Sequence, residues 1–284
     1  MTERLRDVEA RIGTVHQLSA VITAMRSIAA ARTREARAHL DGIRAYATTI
    51  GAAIGEGLAV LPEDARSRLD TPITGTHAIV ALTAEQGFAG AFSEHILDAA
   101  ARLAAADPPG ATDLMLVGDR GLMLATERDL SIDWSAPMVV HAGQAASLAD
   151  RIVEALYSRL DADAVVRVTV VHADPEASDP SAVMEKRLVP FDFSRFPVAE
   201  TAETPLMTLE PQHLLARLAE EYVFAEMCEA VMLSFAAENA ARMRAMIAAK
   251  ENVEDTMGKL VARARQVRQD EITAEIIELA SGAR

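Results

Sequence analysis

The sequence predicts an α/β domain between two long helices, and these helices are predicted to pair as an antiparallel coiled coil. None of the 11 prolines lies before Pro62 or after Pro211, and helix interiors exclude proline because it lacks an amide donor and clashes with the preceding turn. Both proline-free ends are rich in strong helix formers, whereas the middle alternates apolar runs with helical segments. We therefore expect a coiled-coil helix over residues 1–61, a central α/β domain over 62–210 and a second coiled-coil helix over 211–284.

The C-terminal segment, residues 238–283, carries a narrow apolar seam. Apolar or small residues recur at alternating steps of three and four, which is the spacing of a coiled coil. Lys250 falls on this seam and interrupts it. The predicted seam residues are Met243, Met246, Val253, Met257, Leu260, Ala264 and Val267. A helix this long cannot be buried by a compact core, so it needs a partner helix along its length or projects from the body of the protein.

The N-terminal segment carries an apolar seam with the same alternating spacing of three and four residues, so we expect the two segments to pair. Ser19, Arg26 and Thr33 form a polar column on this seam, one heptad apart. The apolar seam residues are Leu5, Val8, Ile12, Val15, Ile22, Ala29, Ala36, Leu40, Ile43, Ala47, Ile50 and Ile54. Further apolar residues beside the polar column are Leu18, Val21, Met25 and Ile28. This wider face indicates more than one partner near residues 18–28, although interhelical packing is the ordinary role of every seam residue.

The central segment changes to short apolar runs separated by glycine and helical stretches. Strands are predicted at residues 76–83, 113–117, 138–140, 165–172 and 183–189, and helices at 91–106, after Gly121 and at 144–160. Strands that alternate with helices favour an α/β layer with a largely parallel sheet, of the Rossmann-like kind.

Composition and charge exclude several classes of protein. A formal net charge of −14 argues against general nucleic-acid binding, which needs a basic face. No run of 18 apolar residues exists, so we expect no membrane span. The first residues are charged and lack an apolar core, so we expect no secretion signal. The single cysteine, Cys228, cannot form an internal disulfide and fits a reducing, cytoplasmic compartment.

No motif in the central segment predicts catalysis, a cofactor or a metal. The sequence after the first strand, residues 84–90, lacks the G-x-G-x-x-G spacing that cradles a pyrophosphate, and no G-x-x-x-x-G-K-[ST] occurs. We expect Gly87 and Gly90 to serve turns. The seven histidines are scattered without metal-ligand spacing. His172 and Asp174 end a strand, where active sites occur, but no nucleophile motif accompanies them.

A group of arginines on the C-terminal helix suggests polar contact with another chain. Arg263, Arg265 and Arg268 lie off the seam, near Gln266 and Gln269. Such residues ordinarily form a solvated face. The alternative is contact with an acidic or carbonyl-rich partner surface, where a guanidinium bonds in a bidentate manner.

Both ends of the chain resemble the gamma subunit of F-type ATP synthases. The family's C-terminal pattern is matched by Glu238, Ala240, Ala241, Arg242, Met243, Ala245, Met246, Ala249, Asn252, Leu260, Arg268, Gln269, Ile272, Thr273, Glu275, Ile276, Glu278, Gly282 and Ala283. Its N-terminal pattern is matched or conservatively replaced by Arg11, Ile12, Val15, Ile22, Thr23, Ala24, Met25, Ala29, Ala30, Arg32, Arg34 and Ala36. The middle motif S-D-R-G-L-C-G-G-F-N is similar to residues 84–93, which keep both glycines and the phenylalanine.

The resemblance implies a rotor shaft without catalytic residues. The two end helices would turn inside a hexamer of alpha and beta subunits, while the α/β domain would lie on the epsilon subunit and the c-subunit ring. The implied stator contacts are Met25, Arg268, Gln269, Ile272, Thr273 and Ile276, with Ile277 and Leu279 completing an apolar tip. The complex would be peripheral to the cytoplasmic side of the membrane and would couple an ion gradient to ATP synthesis or hydrolysis.

Three positions depart from the family pattern. Val21 stands where a lysine is usual, Ala264-Arg265 replaces a tyrosine-asparagine pair, and Gln86 replaces the basic residue of the middle motif. The first two lie in the part of the shaft expected inside the stator, and together the departures suggest a divergent or second-copy rotary ATPase.

Two other classes of protein remain as alternatives at the level of sequence. A soluble enzyme could use the α/β domain, with the helices as a dimerisation arm, and it would need a small-molecule site. A coiled-coil scaffold without a motor role would tolerate charge reversal at Arg268 as long as the seam is kept.

Overall fold

The computed structural model describes residues 5–61, 75–108, 110–160, 165–177, 182–198 and 209–282. Its helices are α1 (Leu5–Val60), α2 (Phe92–Ala105), α3 (Asp119–Glu127), α4 (Ala145–Leu160) and α5 (Pro211–Gly282). Its strands are β1 (Thr76–Leu82), β2 (Thr112–Val117), β3 (Trp134–Ala136), β4 (Val165–Ala173) and β5 (Val183–Val189). Short 3-10 turns lie at Ala142–Gln144 and Phe193–Arg195. The chain forms two compact units, residues 1–30 with 242–284, and residues 31–241.

In the first unit the two long helices run antiparallel. Glu9 of α1 pairs with Arg268 of α5, with 2.8 Å between Oε1 and Nη2. Farther along α1, Thr23 Oγ1 accepts a hydrogen bond from Lys250 Nζ at 3.3 Å. As the residue on α1 advances, its partner on α5 moves back along the chain, which is the pattern of antiparallel pairing. Lys250, the residue that interrupts the seam, is therefore bonded to the opposite helix.

The second unit shows the same direction of pairing. Arg44 Nε donates to Glu229 Oε1 at 2.8 Å, and Tyr46 donates to Glu221 Oε2 at 2.8 Å. Every residue of α5 from 230 to 240 is buried, and a helix that is buried on all sides belongs to a core. Ser234 Oγ, within this stretch, donates to the carbonyl of Leu82 at 2.9 Å and so bonds the helix to the end of β1.

The sheet is mostly parallel and confirms the predicted Rossmann-like α/β domain. Within the described residues its order is β3-β2-β1-β4-β5, with only β5 antiparallel to its neighbour. Alternate residues of a strand face opposite sides of a sheet. Accordingly Ala78 and Val80 of β1 pack in the core shared with α4 and α5, whereas Ile79 and Ala81 pack in the core shared with α2 and α3.

The third strand lies at Trp134–Ala136 and not at residues 138–140 as predicted. Met138 and Val139 are buried, which explains why their apolar character suggested a strand. The backbone amide of Met138, however, donates to Glu85 Oε2 at 2.7 Å instead of to a neighbouring strand. A side-chain carboxylate therefore takes the place of a ladder bond at this position.

Gly121→Ala is expected to lower the free energy of unfolding by about 1–3 kcal/mol through overpacking. A Cβ added at Gly121 would lie 2.5 Å from Thr83 Cβ, and Thr83 is held because its hydroxyl donates to the carbonyl of Val117 at 2.6 Å. Denaturant unfolding measures the loss. The matched control is Gly143→Ala, where an added Cβ meets nothing within 4 Å; equal stabilities of the two variants would contradict the packing described.

Candidate functional site

The C-terminal end of α5 exposes apolar side chains that nothing in the described chain covers. Every residue from 268 to 281 is exposed, although Val267, the last predicted seam residue, is 6% exposed. Ile272, Ile276 and Leu279 are 50%, 61% and 76% exposed. Their spacing of four and three places them on one face of the helix. This face therefore offers apolar surface that another protein chain could cover.

Polar residues predicted for the same contact surface lie at the base of this end. Arg268 bonds Glu9, as described above, and Gln269 is exposed. Thr273, also exposed, donates its hydroxyl to the carbonyl of Gln269 at 2.8 Å, one turn back on the same helix. Arg263 donates to Gln266 at 3.1 Å. The structure thus groups Arg268, Gln269 and Thr273 beside the apolar end.

The predicted seam residues of the first unit are all at least partly buried. Val8, Ile22, Ala29, Met246 and Val267 are buried. The partly buried ones are Leu5, Ile12, Val15, Met243, Val253, Met257, Leu260 and Ala264.

A second apolar row on α1 lies outside the pairing. Leu18, Val21 and Ile28 are 49%, 55% and 53% exposed, while Met25 between them is partly buried. Steps of three, four and three put these residues on one face. Leu18, Val21 and Ile28 therefore offer a further apolar surface within the first unit.

A polar cluster in the sheet has the residue types of a hydrolytic triad. His77 Nδ1 lies 2.7 Å from Asp107 Oδ2, and His77 Nε2 lies 2.8 Å from Thr169 Oγ1. Arg167 forms an ion pair with the other oxygen of Asp107. This cluster could not be predicted from a motif, because its members lie 30 to 92 residues apart in the sequence.

This cluster serves the fold and lacks the features of a catalytic site. His77 begins β1, whereas ligands of parallel α/β sheets bind beyond the carboxyl ends of the strands. His77 is 3% exposed and Thr169 7% exposed, so neither reaches a substrate from solvent. Burial lowers the pKa of His77, although the hydrogen bond with Asp107 acts in the opposite direction. Burial raises the pKa of Asp107, but hydrogen bonds from His77 and Arg167 outweigh that effect and hold the pKa below its usual value.

A cavity of about 280 Å³ lies at the carboxyl end of β1. Its lining includes the loop of the predicted middle motif, where Phe88 and Gly90 have φ angles of +64° and +61°. Glu85 of this loop accepts hydrogen bonds from the amides of Asp119 at 3.2 Å and Met138 at 2.7 Å. The loop therefore closes the end of the sheet. The lining residues are Ala84, Gln86, Gly87, Phe88, Ala89, Gly90, Ser93, Glu94, Arg120 and Leu124.

Neither a metal site nor a membrane-spanning helix occurs among the described residues. No three or more His, Cys, Asp or Glu side chains in this part of the chain are arranged to hold a metal ion. None of the described helices is both long and apolar enough to cross a membrane.

Comparison with known proteins covers nearly the whole chain. The sequence model of a family described as ATP synthase matches residues 4–284. A relative named ATP synthase gamma chain from Beutenbergia cavernae is 30% identical over 287 residues, covering 96% of this chain and 95% of the relative. Another of the same name, from Frankia casuarinae, is 29% identical over 296 residues, covering 100% and 98%. These matches confirm the resemblance seen in the sequence.

Solved structures share the fold at low sequence identity. The OSCP/F1/c-ring structure of the Euglena gracilis mitochondrial ATP synthase in rotational state 3 contains a chain that aligns with a TM-score of 0.67 at 14% identity. The alignment covers 98% of this chain and 93% of that one. A chain from the central stalk and c-ring structure of the Tetrahymena thermophila mitochondrial ATP synthase aligns with a TM-score of 0.60 at 20% identity, covering 81% and 99%.

The buried His77 is expected to make stability depend on pH. Its folded pKa is lowered, so the unfolded chain, with an ordinary histidine pKa of about 6.5, takes up a proton first as pH falls. The stabilising contribution is complete above about pH 6.5 and is lost as pH falls below that value. His77→Gln should flatten the dependence of the unfolding free energy on pH between 7 and 5, measured by urea titration. His16→Gln, an exposed control, should retain the wild-type slope; an unchanged slope in His77→Gln would refute this assignment.

Proposed function

Because the chain belongs to the ATP synthase gamma-chain family, we propose that it is the central rotor shaft of an F-type ATP synthase. In this role it couples ion-driven rotation of a membrane ring to conformational change at catalytic beta subunits, for ATP synthesis or hydrolysis. The observation that carries the proposal is the end of α5, where the pairing stops but the helix continues with exposed Ile272, Ile276 and Leu279. Exposed apolar side chains on one face of a helix end mark a surface that contacts another protein. A rotor shaft needs such a surface where it is enclosed by the hexamer.

The shaft acts by differential binding. One chain among several identical catalytic subunits presents a different face to each, so each is biased towards a different conformation. Rotation by the ring then moves every catalytic subunit through the same series of states. The chain itself supplies no catalytic group in this account, which is supported by a central domain without phosphate-binding loops.

The partners follow from this role. The paired helices meet the alpha and beta subunits of the hexamer, and the α/β domain meets the epsilon subunit and the c-subunit ring. The assembly is peripheral, on the cytoplasmic side of the membrane.

The stator contacts fall into an apolar set and a polar set. Ile272 and Ile276 run against an apolar sleeve of the hexamer, and Met25, with the exposed row beside it, meets a beta-subunit region on the facing side. Arg268, Gln269 and Thr273 make polar contacts with a beta-subunit loop. The exposure of Ile272, Ile276, Arg268, Gln269 and Thr273 in the chain alone supports this division.

Two of the departures from the family pattern change these surfaces. Val21, at 55% exposure, extends the apolar row on α1. Arg265 is an exposed cation on the arginine-bearing part of α5. Val21 and Arg265 alter the chemistry offered to the stator, and both lie outside the predicted seam.

Isolation of the complex tests the role directly. Tagged chain, purified from its own cell with mild detergent, should recover alpha, beta and epsilon subunits in stoichiometric amounts. The control is a chain that lacks residues 268–284, which should recover less of the hexamer because the bearing surface is gone. Recovery of the full chain alone as a stable homodimer would reject the rotor function.

Arg268→Glu should weaken coupling of ion flow to ATP synthesis without unfolding the chain. The exposed pair with Glu9 contributes at most about 1 kcal/mol to the free chain, so helicity measured by circular dichroism should be retained. Lys259→Glu, which disrupts an exposed pair with Asp255 on the same helix, serves as the control for charge reversal. Wild-type ATP synthesis by inverted vesicles carrying Arg268→Glu would argue for a scaffold without this contact.

Ile276→Ser should destabilise the assembled complex but not the free chain. Burial of an isoleucine side chain is worth roughly 1.5–3 kcal/mol, and Ile276 is 61% exposed before assembly. The expected result is faster dissociation from the hexamer with an unchanged melting temperature of the isolated subunit. Glu275→Ser is the neighbouring control on another face. A lowered melting temperature for isolated Ile276→Ser would mean that this side chain packs within the chain.

A further inference from the structure

Arg268, the main polar residue of the proposed stator contact, already has a partner within its own chain. Its Nη2 donates to Glu9 Oε1 on α1 at 2.8 Å. The two residues are 259 positions apart in sequence. Both side chains are exposed in the free chain, at 61% for Arg268 and 51% for Glu9.

On each helix, the residue that precedes the paired side chain is buried, so the backbone that carries each partner is held in place. Val8 precedes Glu9 and is 0% exposed, while Val267 precedes Arg268 and is 6% exposed. The amide of Leu5, in the first turn of α1, lies 3.5 Å from Glu271 Oε1, where a carboxylate complements the unbonded amides of a helix start. Glu9 and Arg268 therefore project beside the last buried residues of the described pairing, Val8 and Val267, about one helical turn before the exposed apolar end of α5 begins at Ile272.

The pair contributes little to the stability of the free chain. An exposed ion pair is worth about 0–1 kcal/mol, since water screens the charges and both side chains lose freedom. A guanidinium has five N–H donors in a fixed fork, and the bond to Glu9 uses one of them. Among the described residues no other acceptor is bonded to this guanidinium, so its remaining donors can reach an acceptor on another chain while the carboxylate biases the direction of the side chain.

We propose that Glu9 is a positioning residue that holds Arg268 for its contact with an acceptor-rich loop of the stator. This inference rests on the proposed rotor function. Once the hexamer encloses the pair, water is excluded and the charge interaction strengthens. Loss of one partner of an enclosed, hydrogen-bonded charge pair then acts mainly on the dissociation rate. The pair therefore changes the stability of the free chain little, whereas it slows dissociation of the chain from the hexamer markedly.

The test compares dissociation rates of labelled chain from the alpha–beta hexamer of the same organism. Glu9→Gln should dissociate at least about tenfold faster than wild type, with the melting temperature of the isolated chain within about 2 °C. Glu9→Asp, which keeps the charge, should recover part of the slow dissociation. Asp7→Asn removes an exposed charge two residues away on α1 and should dissociate like wild type.

Arg268→Gln and the exchange Glu9→Arg with Arg268→Glu separate the possible outcomes. If Arg268→Gln dissociates faster but Glu9→Gln does not, the stator contact stands and the positioning role of Glu9 is overturned. If Arg268→Gln dissociates like wild type, the Arg268 contact of the proposed function fails as well. The exchange restores the pair within the chain but offers the stator a carboxylate, so it should remain fast. If the exchanged chain dissociates at the wild-type rate, the pair only joins the two helices, and the proposal is overturned.

Discussion

Antiparallel pairing of α1 and α5 is the interaction on which the rest of the structure depends. Each helix satisfies its own backbone hydrogen bonds, but its apolar seam is buried only when a partner lies along it, and most helix stability in proteins comes from such packing. In the first unit the bonds that Arg268 donates to Glu9 and Lys250 donates to Thr23 mark that pairing. In the second unit, bonds from α1 to Glu229 and Glu221 do so. A polar residue on a seam generally costs stability but specifies the alignment of the helices, and Lys250 lies on the seam with its ammonium group bonded to Thr23 of α1.

The same pairing explains what remains exposed. Beyond Glu271, which the Leu5 amide reaches at 3.5 Å, no described residue of α1 is bonded to α5, and Ile272, Ile276 and Leu279 are exposed. The row at Leu18, Val21 and Ile28 is exposed as well, outside the seam. In the α/β unit, by contrast, α5 is buried on all sides from 230 to 240. Helix α5 thus has a segment buried in the α/β unit, a segment paired with α1 and an exposed end. In the proposed rotor, the buried segment would attach the shaft to the α/β unit, the paired segment would stiffen it, and the exposed end would contact the hexamer. The α/β fold alone would not have identified a function; the family membership does.

Periodicity was sufficient to predict the helices and the sheet class, because burial on one side of a helix or strand leaves a repeat in the sequence. Features that depend on contacts between distant residues could not be predicted in this way. His77, Asp107 and Thr169 meet only after the sheet has formed, and Glu9 and Arg268 meet only after the helices have paired. The position of β3 was missed for a related reason, since Met138 is buried like a strand residue while its amide bonds the Glu85 carboxylate. The motif at the end of α5 predicted a contact surface, which stays a prediction, and the exposure of that end could be seen only in the structure.

The central claim is that this chain turns inside a fixed hexamer, and observing the rotation of single complexes tests it most directly. The native Cys228 is buried and burial raises its pKa to about 11, so Glu154→Cys on the exposed side of α4 offers a selective site for a bead. With the hexamer fixed to a surface, addition of ATP should turn the bead in one direction in three equal steps per revolution. ATP hydrolysis by these complexes without any rotation of the bead would contradict the account.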